Sequence, residues 1–374
     1  ENATGEVEFD LSTLKIEFVK GHPTFQVFNR DWKVSYPEEV KAWPQLMGTM
    51  LPLNPTEKDF SDLHDMGATL VRYQFLHNGL YNWKKNFSED DGIAQYREWF
   101  AKRLENMHSM LDYGRKYGIR IIVNYQWAPG GHTSEKHNST KMFVEKKYAD
   151  LWVDNWREIA RRFKDNNDII YGYDLVNEPL DRGGKQFTVY GLQETCAKAV
   201  REIDPVTPIV FEPNNNGQET GYEFMSPLRM DNVIYSVHVY HPTAYTHQGL
   251  FTDKAKYHPE PWPNAEKGWD REYLRRKLQP IRDFQLRTGA RILVGEFSSV
   301  AYAPGANNYL EDVLSLFREY GWDWAYHAFR ESSCWSMEHE GDSYYELRPT
   351  AEKTPRAVLL EDFMRHGMKK VSLK

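Results

Sequence analysis

The sequence predicts an α/β fold, a (β/α)8 TIM barrel preceded by a short N-terminal β-hairpin extension. Three observations carry this. From about residue 55 the 374-residue chain alternates helical and strand patterns. Several strand segments are continuous apolar runs, as expected when both faces of a parallel sheet are covered. A glycine also stands between a helix and a strand four times, in Met66-Gly67-Ala68, Tyr117-Gly118-Ile119, Thr288-Gly289-Ala290 and Tyr320-Gly321-Trp322. There a left-handed residue can end the helix, so one unit of helix, glycine and strand recurs.

Taken in order, residues 56–66 read as a helix and Ala68–Phe75 as a strand. Residues 94–116 form an amphipathic helix, with Phe100, Leu104, Met107 and Leu111 at spacings of four, three and four. The strand Ile119–Tyr125 follows. Trp152, Trp156, Ile159 and Phe163 repeat the helical spacing ahead of the strand Ile169–Val176. A helix near 186–203 leads to Pro208–Phe211, and Asn232–Tyr240 is the next strand. Helices near 269–287 and over 307–319 precede the strands Arg291–Phe297 and Trp324–Phe329, and a helix over 354–366 closes the chain. Seven strands are clear, and the first is placed near Gln45–Met50. Strands separated by helices of this length lie parallel, and eight of them close a barrel. An open doubly wound sheet is the alternative; no Gly-x-Gly-x-x-Gly follows the first strands to support it. Residues 1–44 fall outside the alternation, and Lys15–Val19 with Thr24–Phe28 look like a small hairpin packing on the barrel bottom. No linker or low-complexity stretch divides the chain, so residues 1–374 read as one domain. The stretch 242–267, rich in Pro, His, Trp and Gly, reads as a substrate-side loop.

Composition narrows the partners. Lys and Arg number 47 against 54 Asp and Glu, a net charge of −7. That balance exerts no pull on phosphate backbones or anionic lipid, so neither nucleic acid nor a membrane is expected as partner. A neutral small molecule or neutral polymer fits better. The 12 Trp and 23 Tyr mostly serve core packing, yet a Trp surplus also suits sugar rings, whose flat C–H faces stack on aromatics. Cys196 and Cys334 are read as unpaired thiols rather than a disulfide, and no metal-binding Cys spacing occurs. No apolar stretch reaches membrane-spanning length. The polar start at Glu1 is what a secreted, processed chain would show, although a trimmed chain would look the same. The triplets at Asn2, Asn86 and Asn138 match the glycosylation pattern, which arises by chance in any chain this long.

In a barrel of this kind, chemistry sits at the C-terminal ends of the strands. Those ends offer Arg72, Asn124 and Gln126, Asn177 and Glu178, Glu212, His238 and Tyr240, and Glu296. Glu178 and Glu296 each end a nearly apolar strand, where an acid is costly unless it is paired or in use. A helix cap or an Arg partner is the structural alternative for either one taken singly.

Tyr173-Asp174-Leu175-Val176-Asn177-Glu178-Pro179 resembles the strand-four Asn-Glu-Pro motif of glycoside hydrolase family 5, the cellulase-like retaining barrels. Val294-Gly295-Glu296-Phe297 resembles the strand-seven nucleophile motif of that family, His238-Val239-Tyr240 its strand-six His-x-Tyr, and Val71-Arg72 its strand-two Arg. The four occur in the family's order across roughly residues 45–335. The resemblance implies a retaining glycosidase with Glu296 as nucleophile and Glu178 as acid/base. Arg72 would keep Glu296 ionised, Tyr240 would orient it, Asn177 would bind the sugar 2-hydroxyl, and His238 would tune the acid/base. Neither cofactor nor metal is implied. His238, His241, His247 and His258 show no convincing ligand spacing with a carboxylate.

Two departures stand out. The family's third strand usually ends in a His, where this chain offers Gln126, with His77 or His132 as substitutes. The family also places a Trp at the end of strand eight beneath the sugar being cut. Here the segment runs Trp324-Ala325-Tyr326-His327-Ala328-Phe329-Arg330, and the next Trp, Trp335, is the candidate. Trp127, Trp262 and Trp83 are further candidate sugar platforms or packed loop anchors, Glu331 is a candidate substrate contact or loop ion pair, and Glu212 is a candidate substrate or supporting contact. The reading is therefore an endo-β-1,4-glucanase, secreted and monomeric, acting on β-linked polysaccharide. Mannan-, xylan- or β-1,3-glucan-active relatives would use the same two Glu. A non-catalytic carbohydrate-binding barrel would have no reason to keep both Glu, Asn177 and Tyr240 together. An open-sheet oxidoreductase lacks its dinucleotide loop.

Overall fold

The computed structural model describes residues 30–75, 92–133, 139–182, 186–223 and 225–366. Eight parallel strands close a barrel in sequence order, β1 (Met47–Met50), β2 (Leu70–Gln74), β3 (Arg120–Asn124), β4 (Ile170–Asp174), β5 (Ile209–Phe211), β6 (Val233–Val239), β7 (Ile292–Phe297) and β8 (Asp323–Tyr326), with β8 pairing back onto β1. Seven lie inside their expected segments, trimmed by one to three residues, and β8 starts one residue before its own, at Asp323. At two C-terminal ends the chain turns outward early to build the site: β4 stops at Asp174 rather than Val176, and β8 at Tyr326 rather than Phe329.

The helices fit their expectations closely, at Glu57–Asp65, Gly92–Tyr117, Lys146–Phe163, Val189–Arg201, Arg271–Thr288, Ala306–Tyr320 and Pro355–Arg365. All four junction glycines are left-handed, with φ between +66° and +88°. The helix Lys146–Phe163 shows what the apolar stripe does. Trp152 and Trp156 are fully buried, and both donate their indole N–H to the carbonyl of Leu175, at 3.0 and 2.9 Å. Burying each such side chain contributes about 1.5–3 kcal/mol. The two bonds also fix the backbone three residues before Glu178. Trp156→Ala would remove both the packing and one of these anchors.

The barrel interior is layered. Leu70, Ile122, Tyr171, Val210, Ile234 and Leu293, one from each of six strands, form an apolar lower layer against Leu46. Tyr36 and Trp43 cover it from below, and Tyr36 Oη donates to Val233 O at 2.6 Å while accepting from Arg291 N at 2.7 Å. Tyr36 and Trp43, shortly before β1, thus cover the barrel bottom. The predicted hairpin over Lys15–Val19 and Thr24–Phe28 lies outside the described residues, as do the triplets at Asn2 and Asn86 and the residue Asn138. Cys196 and Cys334 are both free and buried. Among the described residues, no helix is long and apolar enough to cross a membrane.

Candidate active site

Above the apolar layer the same strands point polar side chains inward, and Arg72 on β2 gathers them. Its side chain is wholly buried, which is tolerable only because every edge of the guanidinium is paired. Nε donates to Asp174 (2.9 Å), Nη1 to Glu296 (2.7 Å), and Nη2 to Asn124 (3.2 Å), Asn177 (3.0 Å) and Glu212 (3.0 Å). One residue on β2 thereby fixes side chains from β3, β4, β5 and β7. Gln126 joins indirectly, accepting from the Asn124 amide.

Glu296 reaches this cluster through an irregularity. Along β6 and β7 the register runs Val237 against Val294 and then His238 against Glu296, so Gly295 is skipped. A bulge of this kind re-aims a side chain beside a site. Leu293 points into the barrel and strict alternation would turn Glu296 outward; the slip brings it in. Its Oε2 accepts from Tyr240 Oη at 3.1 Å.

Glu178 lies past β4 with φ at +47°, a conformation that costs a non-glycine residue energy and clusters at functional sites. Its backbone N–H donates to Glu212 Oε2 (2.8 Å). His238 Nδ1 meets Glu178 Oε1 at 2.9 Å, and Nε2 lies 3.0 Å from Glu212 Oε1. Glu178 is 37% exposed and Glu296 only 7%, so the first carboxyl faces the mouth and the second the floor.

The two acids are driven apart electrostatically. Burial raises the Glu178 carboxyl above its ordinary value; its hydrogen bond to His238 opposes this and the Glu296 charge adds to it. Burial pushes Glu296 the same way, but the positive charges of His238, His327 and Arg72 outweigh it and hold the group below its ordinary value. His238 is disfavoured as a cation by burial, yet Glu212 and Glu296 raise its proton affinity well above normal. One oxygen of Glu178, one nitrogen of His238 and one oxygen of Glu296 lie within 4.8 Å of one another, a spacing that could also hold a metal ion. Here the Arg72 guanidinium already stands where a cation would balance Glu296, and each of the three groups is engaged in hydrogen bonding.

Of the residues singled out from sequence, Arg72, Asn124, Asn177, Glu178, Glu212, His238, Tyr240 and Glu296 converge directly. Trp335 joins them, its ring centroid 6.3 Å from Tyr240 and 5.1 Å from His327. Trp127, in the loop after β3, packs against the outer core. Of its two readings, Trp262 takes that of a packed loop anchor: it is 2% exposed, and its indole donates to Asp312 at 3.0 Å. His132 bridges to Thr140 in the loop after β3, and burial lowers its proton affinity. His77 and Trp83 lie outside the described residues. Sequence reasoning missed Asp174 and His327. An acid within an otherwise apolar strand, and a His with a Glu four residues on, were the available signals.

The profile of Cellulase (glycosyl hydrolase family 5) matches residues 36–333. Endoglucanase C of Acetivibrio thermocellus is 24% identical over 291 residues, covering 71% of this chain and 81% of its own. A beta-xylosidase of Phanerodontia chrysosporium is 23% identical over 327 residues, 83% of this chain and 61% of its own. Among solved structures, a hyperthermophilic endo-beta-1,4-glucanase in complex with substrate superposes with a TM-score of 0.64 at 19% identity, covering 87% of this chain and 98% of that one. Thermotoga maritima Cel5A in complex with mannotriose gives 0.62 at 19%, covering 85% and 96%. The barrel, the inward-facing carboxylates and the profile match over most of the chain agree, and the chain belongs to glycosyl hydrolase family 5, as an O-glycosyl hydrolase of retaining type.

Proposed function

We propose that this protein cleaves an internal β-1,4 linkage of a glucan, with Glu296 as nucleophile and Glu178 as acid/base. One observation carries the assignment: two carboxyl oxygens within 4.8 Å whose surroundings push their proton affinities in opposite directions. Retaining glycosidases hold the pair about 5–5.5 Å apart, and inverting ones about 6.5–9.5 Å. Glu296, ionised beside Arg72, attacks the anomeric carbon as Glu178 gives its proton to the departing oxygen. In the glycosyl-enzyme the Glu296 charge is gone, so Glu178 binds its proton less tightly and takes one from water. Asn177 has its amide oxygen on Arg72, so its NH2 is what it offers the sugar 2-hydroxyl. Glu212 anchors both His238 and the Glu178 backbone and acts through them.

The glucan assignment draws on relatives named endoglucanase. Action outside the cell follows from a polymer too large to enter one, and a monomer suffices because the site is built from one chain. Glu178→Gln should cut hydrolysis of polymer by several orders of magnitude and that of an activated aryl glycoside far less, since a good leaving group needs no proton. Equal loss on both substrates would remove Glu178 as the acid. An inverted first product, followed by NMR, would remove the mechanism. Products from a panel of β-glucans, mannans and xylans decide the sugar, activity in culture supernatant decides the location, and light scattering decides the oligomeric state.

A further inference from the structure

His327 occupies the end of β8, where related barrels present a Trp to the sugar, and the hydrogen bonds around it constrain its charge. Nε2 meets Glu331 Oε2 at 2.7 Å and Nδ1 meets Tyr240 Oη at 2.7 Å. Tyr240 has a single hydroxyl proton, and its oxygen also lies 3.1 Å from Glu296 Oε2. A carboxylate only accepts. If Tyr240 donates to Glu296, its oxygen must accept from Nδ1–H, while Glu331 requires Nε2–H. Both ring nitrogens then carry protons. In the neutral ring with Nε2–H, Nδ1 accepts instead, the Tyr240 proton turns to it, and Glu296 loses a donor.

We propose that Glu331, His327 and Tyr240 form a relay in which His327, held as imidazolium by Glu331, aims the Tyr240 proton at Glu296. His327 is a positioning residue, acting through Tyr240. The groups facing it are Glu331 from the segment after β8, Tyr240 and His247 from after β6, Glu296 from β7 and Glu178 from after β4. Burial opposes the charged ring, and Glu331, then Glu296 and Glu178, outweigh it, so its proton affinity lies above the ordinary value. His247 is driven the other way, to about 4, by burial and by His327, and stays neutral. His327 also lies 3.8 Å from Glu296 Oε2, so its charge adds to that of Arg72 in keeping the nucleophile ionised. Trp335, at 5.1 Å with its plane 34° from that of the imidazole, packs against the ring.

The proposal rests on Glu296 as nucleophile, and its test separates the two. A dinitrophenyl β-glycoside needs no proton from Glu178, so with this substrate the alkaline limb of kcat/KM reports the relay. Glu331→Gln keeps the shape and loses the charge. The limb should move to lower pH by about one unit or more, and kcat/KM should fall about 10–100-fold, as for other groups that orient a reactive side chain. A merely structural role would lower activity at all pH values and leave the limb in place, which overturns the proposal. Nitrogen NMR of histidine-labelled protein needs no substrate. The His327 signals, identified by their loss in His327→Gln, should show two protonated nitrogens at neutral pH in the wild type and one in Glu331→Gln. A neutral His327 in the wild type overturns the relay. Retained turnover in Glu296→Ala would instead sink the nucleophile assignment, with the NMR result still deciding the charge on His327.

Discussion

Replacing Arg72 with Lys keeps the positive charge at the centre of the site and removes the planar fork. Arg72 donates to five side chains, and its guanidinium is fully buried. A Lys ammonium has three N–H groups radiating from one atom and cannot reach more than three of those partners. At least two buried charge-assisted hydrogen bonds are lost, each contributing about 1.5–3 kcal/mol. The variant should therefore lose about 3–6 kcal/mol, a large share of the roughly 5–15 kcal/mol that holds a typical domain together. Equilibrium urea unfolding, followed by tryptophan fluorescence, measures this. Turnover of an aryl cellobioside should fall by about 10²–10³, the usual loss for one donor placed at developing charge. A stability change under about 1 kcal/mol, with turnover intact, would refute the reasoning that the fork rather than the charge organises these residues.

Burial raises the Asp174 carboxyl from 3.8 to about 7, against the pull of Arg72. A folded-state value above the unfolded one means that its contribution to stability is full below 3.8 and declines as pH rises to about 7. Asp174→Asn cannot lose that proton, so its urea midpoint should gain on the wild type as pH rises from 3.8 to about 7; movement in the other direction counts against the assignment. At Gly295 an added methyl would sit 2.7 Å from Ser236 Oγ and 3.0 Å from His238 Nε2. Gly295→Ala should depress kcat by displacing His238 from Glu212 while the far-ultraviolet circular dichroism stays native, and wild-type turnover would dismiss the idea. Trp335→Ala should raise KM about tenfold if the ring stacks on sugar. A fall in kcat at constant KM would mean that it only supports His327.

The order and length of the elements were legible because a repeated helix–glycine–strand unit writes its period into the sequence. The eight site residues that converge were legible for a related reason: each sits at or just past a strand end, and parallel strands in a closed barrel bring those ends to one face. What the pattern could not carry is register. Nothing in Val294-Gly295-Glu296 announces that Gly295 is skipped in the pairing with β6. Asp174 was hidden inside a run read as apolar, although an acid inside a buried strand requires a partner, and Arg72 is that partner. At β8 the expectation of a Trp drew attention to Trp335, which the structure seats beside His327 at the site.

These placements make the difference between the two glutamates a matter of neighbours, since the side chains are chemically the same. Glu296 faces Arg72, Tyr240, His327 and, at 3.8 Å, His238, all favouring its charge. Glu178 has its carboxyl bonded to His238 at the open side, with the charges of Glu296 and Glu212 opposing its own. If Glu296 instead pointed outward, Arg72 would keep Asp174 and Glu212, and Glu178 would keep His238, yet no nucleophile would remain. The slip at Val237/His238 is therefore the feature on which chemistry depends, and it sits between the two strands that supply His238 and Glu296. A bulge there costs sheet pairing, and the barrel accepts a second slip between β3 and β4, at Ile121/Ile122, beside the strand that carries Asp174 to Arg72.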